Sequence, residues 1–377
     1  MVIYLLTFLL GLVVDSLDPK KYRNIRIFFI FWLFVFLCFS YTNGSDWRSY
    51  ELEYQNGYEK YSGQGSDMGF VFIMRSFGKI ISDFWITLGI LKIIYLWSCA
   101  SIFKLFTEKW ISATMLMMPL CLLFMIIDNP LRYMVAMTFY NLSMHFVINK
   151  KYIYAASLSI ISLTCHSVIV ICMPFLFFLR TNFLSKIKTP YLIAVYIVLL
   201  VVSNQIERMQ DLQLLGGLIM SSFFGREGLV EHYGNEEPES IINLGNLLNF
   251  TLFLTVLCFR KRIIRESGNN IFTLAVLYFF IFNISHAIPV GHRMRVPLTL
   301  FCCVAFTYII RYKLMARYLI VVLLLTSMTK MILASYTYIP YTNSIPYILT
   351  DHKPYNERYN YNIKNYEQRT GHSLDND

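Results

Sequence analysis

Four groups of polar residues stand where apolar runs end, and their types could do chemistry together. They are Asp46 with Arg48 in Asn43-Gly44-Ser45-Asp46-Trp47-Arg48-Ser49-Tyr50; Arg132 in Asp128-Asn129-Pro130-Leu131-Arg132; His166 between Cys165 and Ser167; and Gly291-His292-Arg293-Met294-Arg295. A proline behind an asparagine that can cap is a helix-start signal, so Arg132 falls in the first turn of a helix. There the positive end of the helix dipole disfavours a cation, and the guanidinium adds to the free N–H groups in favouring an anion. Three of these stretches are basic, and a cluster of Arg and His there suits a doubly anionic ligand, most simply a diphosphate. Each residue also has a plainer reading. Arg132 could snorkel to headgroups, Asp46 could bond its own backbone in a turn, His166 could cap a helix, and Arg293 and Arg295 could close a loop against lipid.

The elements that must position these groups are membrane helices. The chain has 377 residues, 56% hydrophobic and only 15% charged, against about 25% charged in soluble domains, and its mean hydropathy is +0.50. The pattern predicts an all-α polytopic membrane protein of about twelve helices. Spans are expected near 1–17, 27–41, 84–103, 110–127, 131–148, 152–165, 166–180, 190–204, 241–259, 271–288, 296–310 and 318–335. Val2–Val14 reads as a retained first span. One transmembrane domain, 1–335, is expected, followed by a tyrosine-rich tail, 336–377. The eight cysteines lie in or beside apolar runs without metal-ligand spacing and read as packing residues.

Charge sorts the breaks between spans into two sets. Six alternate breaks carry eighteen basic residues, from Lys20 to Arg317, against only Asp18, Glu108 and Glu266. The positive-inside rule makes them cytoplasmic and puts both termini outside. The net charge of +10 is thus a mark of topology and not of a nucleic-acid partner. The outer side then owns the long polar segments 42–83 and 205–240, the short loop 289–295 and the tail. Within 42–83, Met68–Ile81 is too short to span and fits an interfacial helix. From Lys151 to His166, a helix covers about 23 Å, short of the roughly 30 Å hydrocarbon core, so His166 should sit in a depression below the outer surface.

Asn43-Gly44-Ser45-Asp46-Trp47 with Tyr50, then Asp67-x-Gly69-Phe70, Arg132-x-x-x-Ala136 and His166-Ser167 resemble the EpsG-like branch of bacterial polysaccharide polymerases, the Wzy-type O-antigen and exopolysaccharide polymerases. The resemblance covers roughly residues 40–180, with weaker support from Arg293, Arg295 and Tyr338-x-x-Tyr341. It departs at Tyr133, where the helix-opening arginine is often followed by glutamine. The resemblance implies a fold related to C-type glycosyltransferases, in the bacterial inner membrane with both termini periplasmic. It implies a metal-independent, inverting enzyme without cofactor. The growing glycan would pass from undecaprenyl diphosphate to the non-reducing end of a lipid-linked oligosaccharide repeat unit. On this reading His166 and Asp46 are the catalytic candidates, His166 as a base that titrates in the useful range. Arg132, Arg293 and Arg295 bind diphosphate, while Arg48, Tyr50, Trp47 and His292 contact acceptor or sugar. Trp47, Tyr50, Tyr54 and Tyr58 are expected to be exposed, stacking on sugars or forming an interfacial belt. Partners are membrane lipids, the lipid-linked oligosaccharides and a chain-length regulator.

Two other classes remain in play. A lipid-linked oligosaccharide flippase is also often built from about twelve spans, but should line a central path with charge and repeat in two halves. A membrane acyltransferase acting on the glycan could use His166 as base.

Overall fold

The structure is a computed structural model that describes residues 1–44, 46–58, 67–128, 130–208, 243–285 and 291–370. Most of the outer loop expected at 205–240, the helix-capping Asn129 and the last seven residues lie outside the described residues. Among the described residues the chain is helical, with one isolated bridge pairing Ser40 and Asn343. In chain order the α-helices are α1 (Val2–Ser16), α2 (Arg23–Leu33), α3 (Trp47–Gln55), α4 (Met68–Gly78), α5 (Phe84–Phe106), α6 (Trp110–Met117), α7 (Leu131–Ile148), α8 (Tyr152–Cys165), α9 (Pro174–Phe178), α10 (Thr189–Arg208), α11 (Leu244–Cys258), α12 (Arg260–Ser267), α13 (Asn269–Ile284), α14 (Val296–Tyr312), α15 (Leu314–Ala334), α16 (Ile345–Leu349) and α17 (Tyr355–Thr370).

Among the described residues every expected apolar run is helical. Three helices (α5, Gly291–Tyr312 including α14, and α15) are long and apolar enough to cross a bilayer, and eight more are shorter apolar helices. Two runs are irregular for local reasons. Beyond α6, Pro119 has no N–H to give, and the helix passes into π-helical turns at Met118–Leu122 and Phe124–Asp128. α8 stops at Cys165, His166 is extended, and a 3-10 turn, Ser167–Cys172, leads to Pro174 at the start of α9. The break expected at His166 is therefore present. Pro130, expected as the first helical residue of α7, instead occupies its N-cap position.

α7 is the hub, packed against α5 and α8. Small polar side chains bond across these helix pairs, as suits an apolar surround. Asn141 donates to Ser98 Oγ at 3.1 Å, Ser143 to the Ala155 carbonyl at 2.8 Å, and Ser162 to the Ala136 carbonyl at 2.7 Å. These bonds fix α8 along α7 and so fix His166 relative to Arg132.

The two sets of breaks gather at opposite ends of the bundle. At one end Arg26 pairs with buried Asp15 at 2.9 Å, and Asp15 also receives Lys109 and the Ser112 N–H. Arg311 and Arg317 line a cavity with Asp15 and Lys109. Arg260 donates to the Ile187 carbonyl at 2.6 Å. At the other end the segment after α15 folds back over the first polar segment. Tyr4 donates to the Tyr338 carbonyl at 2.9 Å, Asn43 to the Thr337 carbonyl at 2.9 Å, and the Tyr41 N–H to the Thr342 carbonyl at 3.0 Å.

α17 completes this covering layer. Arg358 forks onto Glu51, Nη1 to Oε2 at 2.5 Å and Nη2 to Oε1 at 2.9 Å, with both side chains buried. The guanidinium lies among the rings of Tyr41, Trp47, Trp85 and Tyr355. The expected exposure of Trp47, Tyr50, Tyr54 and Tyr58 is corrected, because all four are buried, Trp47 under α17, Tyr50 and Tyr58 against Phe70 of α4, and Tyr54 against Phe84 of α5. Trp47 is fully enclosed between Trp85 and Tyr355, so its ring is closed to a sugar.

Candidate functional site

Close packing at two glycines brings the site together. Gly44 has φ +78, and a Cβ there would collide with the Asp128 carbonyl at the end of the α6 run. An L side chain resists both the conformation and the contact. Gly69 lies in the first turn of α4, against Thr164 of α8, where a Cβ would also collide. That contact carries Asp67, just ahead of α4, to the end of α8.

The result is a continuous polar chain. Arg132 Nη1 lies 2.9 Å from Asp67 Oδ2, and Asp67 Oδ1 lies 3.5 Å from His166 Nδ1. His166 Nε2 lies 3.1 Å from Arg293 Nη1. Arg132 also covers the rings of Tyr50 and Phe70, and Arg293 covers that of Tyr133. The Tyr133 hydroxyl donates to the Arg293 carbonyl at 2.6 Å, which ties the 3-10 turn Gly291–Arg295 to α7. The residue at which the chain departs from the resembled pattern thus holds the turn that carries Arg293.

The electrostatics follow from this order. A cation in the first turn of α7 is disfavoured by the helix dipole, and the Asp67 carboxylate offsets that cost. Burial alone would raise the Asp67 carboxyl, but hydrogen bonds from His166 and Arg132, with the charge of Arg132 and of His166 when it is protonated, outweigh it and hold the group below its usual range. Burial pushes the Tyr50 phenol up, Arg132 pulls it back, and Asp46 pushes it up again. A guanidinium has only donors, so the contact at His166 Nε2 needs a lone pair there. The imidazole is then neutral, with its proton on Nδ1 facing Asp67.

Of the residues expected at the site, Arg132, His166 and Arg293 come together and Tyr50 floors Arg132. The others lie apart. Asp46 is exposed at the N-cap of α3, with no side-chain cap hydrogen bond. Arg48 covers the Tyr359 ring of α17, and its carbonyl accepts from Tyr355. His292 packs edge-on to Phe124. Arg295 faces the Phe282 ring and a separate cavity. In a 3-10 turn, residues three apart share a direction and residues two apart do not. His292 and Arg295 therefore look one way and Arg293 another. Asp67 is the member not singled out as a site residue in the sequence, although it heads the Asp67-x-Gly69-Phe70 motif. Among the described residues no group of three His, Cys, Asp or Glu side chains is placed to hold a metal ion.

No curated protein and no solved structure matches the chain. A family model described as the EpsG family matches residues 23–348, and the chain belongs to that family, as the resemblance carried by Gly44, Asp46, Arg132 and His166 implied.

Proposed function

Starting from membership of the EpsG family, whose association is with polysaccharide polymerase and glycosyltransferase-like roles in the membrane, we propose that this chain is an inverting glycan polymerase. It is read as a bundle of about twelve spans related to C-type glycosyltransferases, in the bacterial inner membrane with both termini periplasmic. It works at the periplasmic face, where the growing glycan leaves undecaprenyl diphosphate for the non-reducing end of a lipid-linked repeat unit. The observation that carries this reading is the approach of Arg132, His166 and Arg293, distant in sequence, through Asp67.

His166 takes the proton of the acceptor hydroxyl on Nε2. The acceptor oxygen forms its bond to the anomeric carbon as the bond from that carbon to the phosphate oxygen breaks, and the lipid diphosphate departs. Asp67 holds the imidazole through the Nδ1 side and steadies the imidazolium that forms. Departure builds negative charge, which the guanidiniums of Arg293 and Arg132 would stabilise in the role a metal ion has elsewhere. Arg293 occupies the Nε2 lone pair at 3.1 Å in this state. A diphosphate that draws Arg293 toward itself uncaps the base only when donor is present. Asp46, exposed at the N-cap of α3 and apart from His166, is the second catalytic candidate on this reading.

The test is the pattern of surface glycan on a gel after His166→Ala or Arg132→Ala replacement in the native host. Long chains are expected to vanish while single repeat units persist. Loss of all units would indicate a flippase, and unchanged long chains would refute the assignment.

A further inference from the structure

At the basic end of the bundle a cavity of about 360 Å³ lies between α1, the start of α6, the end of α14 and the start of α15. That size is within the roughly 300–1,000 Å³ of small-molecule clefts. Three cations line it: Lys109 just ahead of α6, Arg311 in the last turn of α14 and Arg317 in the first turn of α15. Asp15 is the acid in the lining, and it is already engaged. Its Oδ1 takes Arg26 at 2.9 Å and its Oδ2 takes the Ser112 N–H at 2.9 Å, with the side chain fully buried. Lys109 Nζ donates to the Asp15 carbonyl, and Arg317 Nε to the Ile310 carbonyl at 2.9 Å. Among the described residues no carboxylate lies within ion-pair distance of Lys109, Arg311 or Arg317. Asp18, Glu108 and Glu266, the other acids of this end, stand outside the lining. Toward the bilayer the lining turns apolar, with Val13 on α1 and Val321 on α15. Val13 is 56% exposed, and Leu10, three residues deeper on the same face of α1, is 51% exposed, so the cavity continues into lipid-facing surface. From Ser16 to Leu10 is six helical steps, about 9 Å.

Three cations without a free carboxylate to answer them, beside apolar surface that faces hydrocarbon, suit an amphiphile with an anionic head. A free phosphate would leave Val13 and Leu10 uncovered, and a zwitterionic phosphatidylcholine head would bring a quaternary ammonium against the three cations. We propose that this cavity binds the phosphodiester head of an anionic glycerophospholipid of the surrounding leaflet, with Arg311 and Arg317 as its phosphate-binding residues, Lys109 adding the third charge and an acyl chain along Val13 and Leu10. A planar guanidinium offers paired N–H donors to two phosphate oxygens, which fits it to this head better than a point charge. The ligand is a lipid of the membrane itself and not a glycan carrier, so the site stands on charge and cavity whatever the chain transfers. It also has a reach beyond its own walls. α14 runs from this cavity to the turn that carries Arg293, so a bound lipid steadies one end of the element whose other end meets His166.

The full chain in non-ionic detergent would be titrated separately with dioctanoyl phosphatidylglycerol, with dioctanoyl phosphatidylcholine and with glycerophosphoglycerol, the first head without its chains. Native mass spectrometry reads the occupancy, and thermal unfolding is followed in parallel. Phosphatidylglycerol is expected to bind at least tenfold tighter than either of the others, and it alone should raise the unfolding midpoint. Arg311→Met and Arg317→Met should each weaken it about tenfold. Lys313→Met removes a cation that lies between them in sequence but does not line the cavity, and should bind as the parent does. Arg311 and Arg317 are exposed at helix ends, so their replacement tests the site without threatening the fold. Unchanged phosphatidylglycerol binding in Arg311→Met and Arg317→Met overturns the proposal. Equal binding of the two lipids, or a loss in Lys313→Met as large as in Arg311→Met, reveals a general attraction to basic surface and overturns it too. Glycerophosphoglycerol bound as tightly as phosphatidylglycerol makes the occupant a soluble phosphodiester and removes the lipid.

Discussion

Asp67 decides whether the residue cluster is one unit or two. Its carboxylate joins Arg132 to His166, and its affinity for a proton is lowered by both. A carboxyl depressed on folding lends stability that is present above its unfolded value, near 3.9, and is lost as pH falls through the lower folded value. Asp67→Asn should therefore lower stability at pH 7 by roughly 3 kcal/mol, the cost of leaving a largely buried cation without its partner. The gap between variant and parent should narrow as the pH falls below that unfolded value toward the lower folded one. Thermal unfolding in detergent, followed by tryptophan fluorescence across that range, checks the sign, and a gap that widens in acid would refute it. His166 and Arg132 could be found in the sequence because each breaks a local rule, a helix too short and a cation at the wrong helix end. Asp67 breaks none. It is one acid among several in a polar segment, and its partners lie 65 and 99 residues away.

At the scale of elements, the covering layer over α3 depends on one buried ion pair. Removing Arg358 leaves Glu51 enclosed with only the Trp85 N–H at 3.2 Å. Arg358→Met should cost about 3–5 kcal/mol. The double replacement Glu51→Gln with Arg358→Met should recover part of that loss, since the orphaned charge is then gone. Unfolding midpoints of the four proteins measure the coupling, and additive losses would refute it. The helices themselves were legible as apolar runs, and the break at His166 followed from helix length. The burial of Trp47, Tyr50, Tyr54 and Tyr58 was not, because it depends on how α4, α5 and α17 pack against α3. A tyrosine in a polar segment carries no mark of what will later be laid over it. The division of labour between Arg293 and Arg295 was likewise invisible until the turn between them was known to be 3-10.

At the scale of the molecule, the segregation of charge into two ends is the most legible property, because it follows from counting basic residues in alternate breaks. On the proposed orientation, Cys258 at the basic end is the exposed cysteine among the eight, the other seven being buried. A membrane-impermeant maleimide should label Cys258 only in opened cells. Asp351→Cys, placed on the exposed stretch between α16 and α17 in a Cys258→Ser background, should label in intact spheroplasts. The reverse pattern would invert the topology.

The fork between Glu51 and Arg358 joins residues 307 positions apart. Threading α1 into the bilayer can begin as soon as it is made, but the cover over α3 cannot set until the ribosome has delivered α17. A message cut short before codon 358 would leave a chain that can insert but carries Glu51 without its guanidinium. Such a product is expected to unfold more readily than the short length removed suggests.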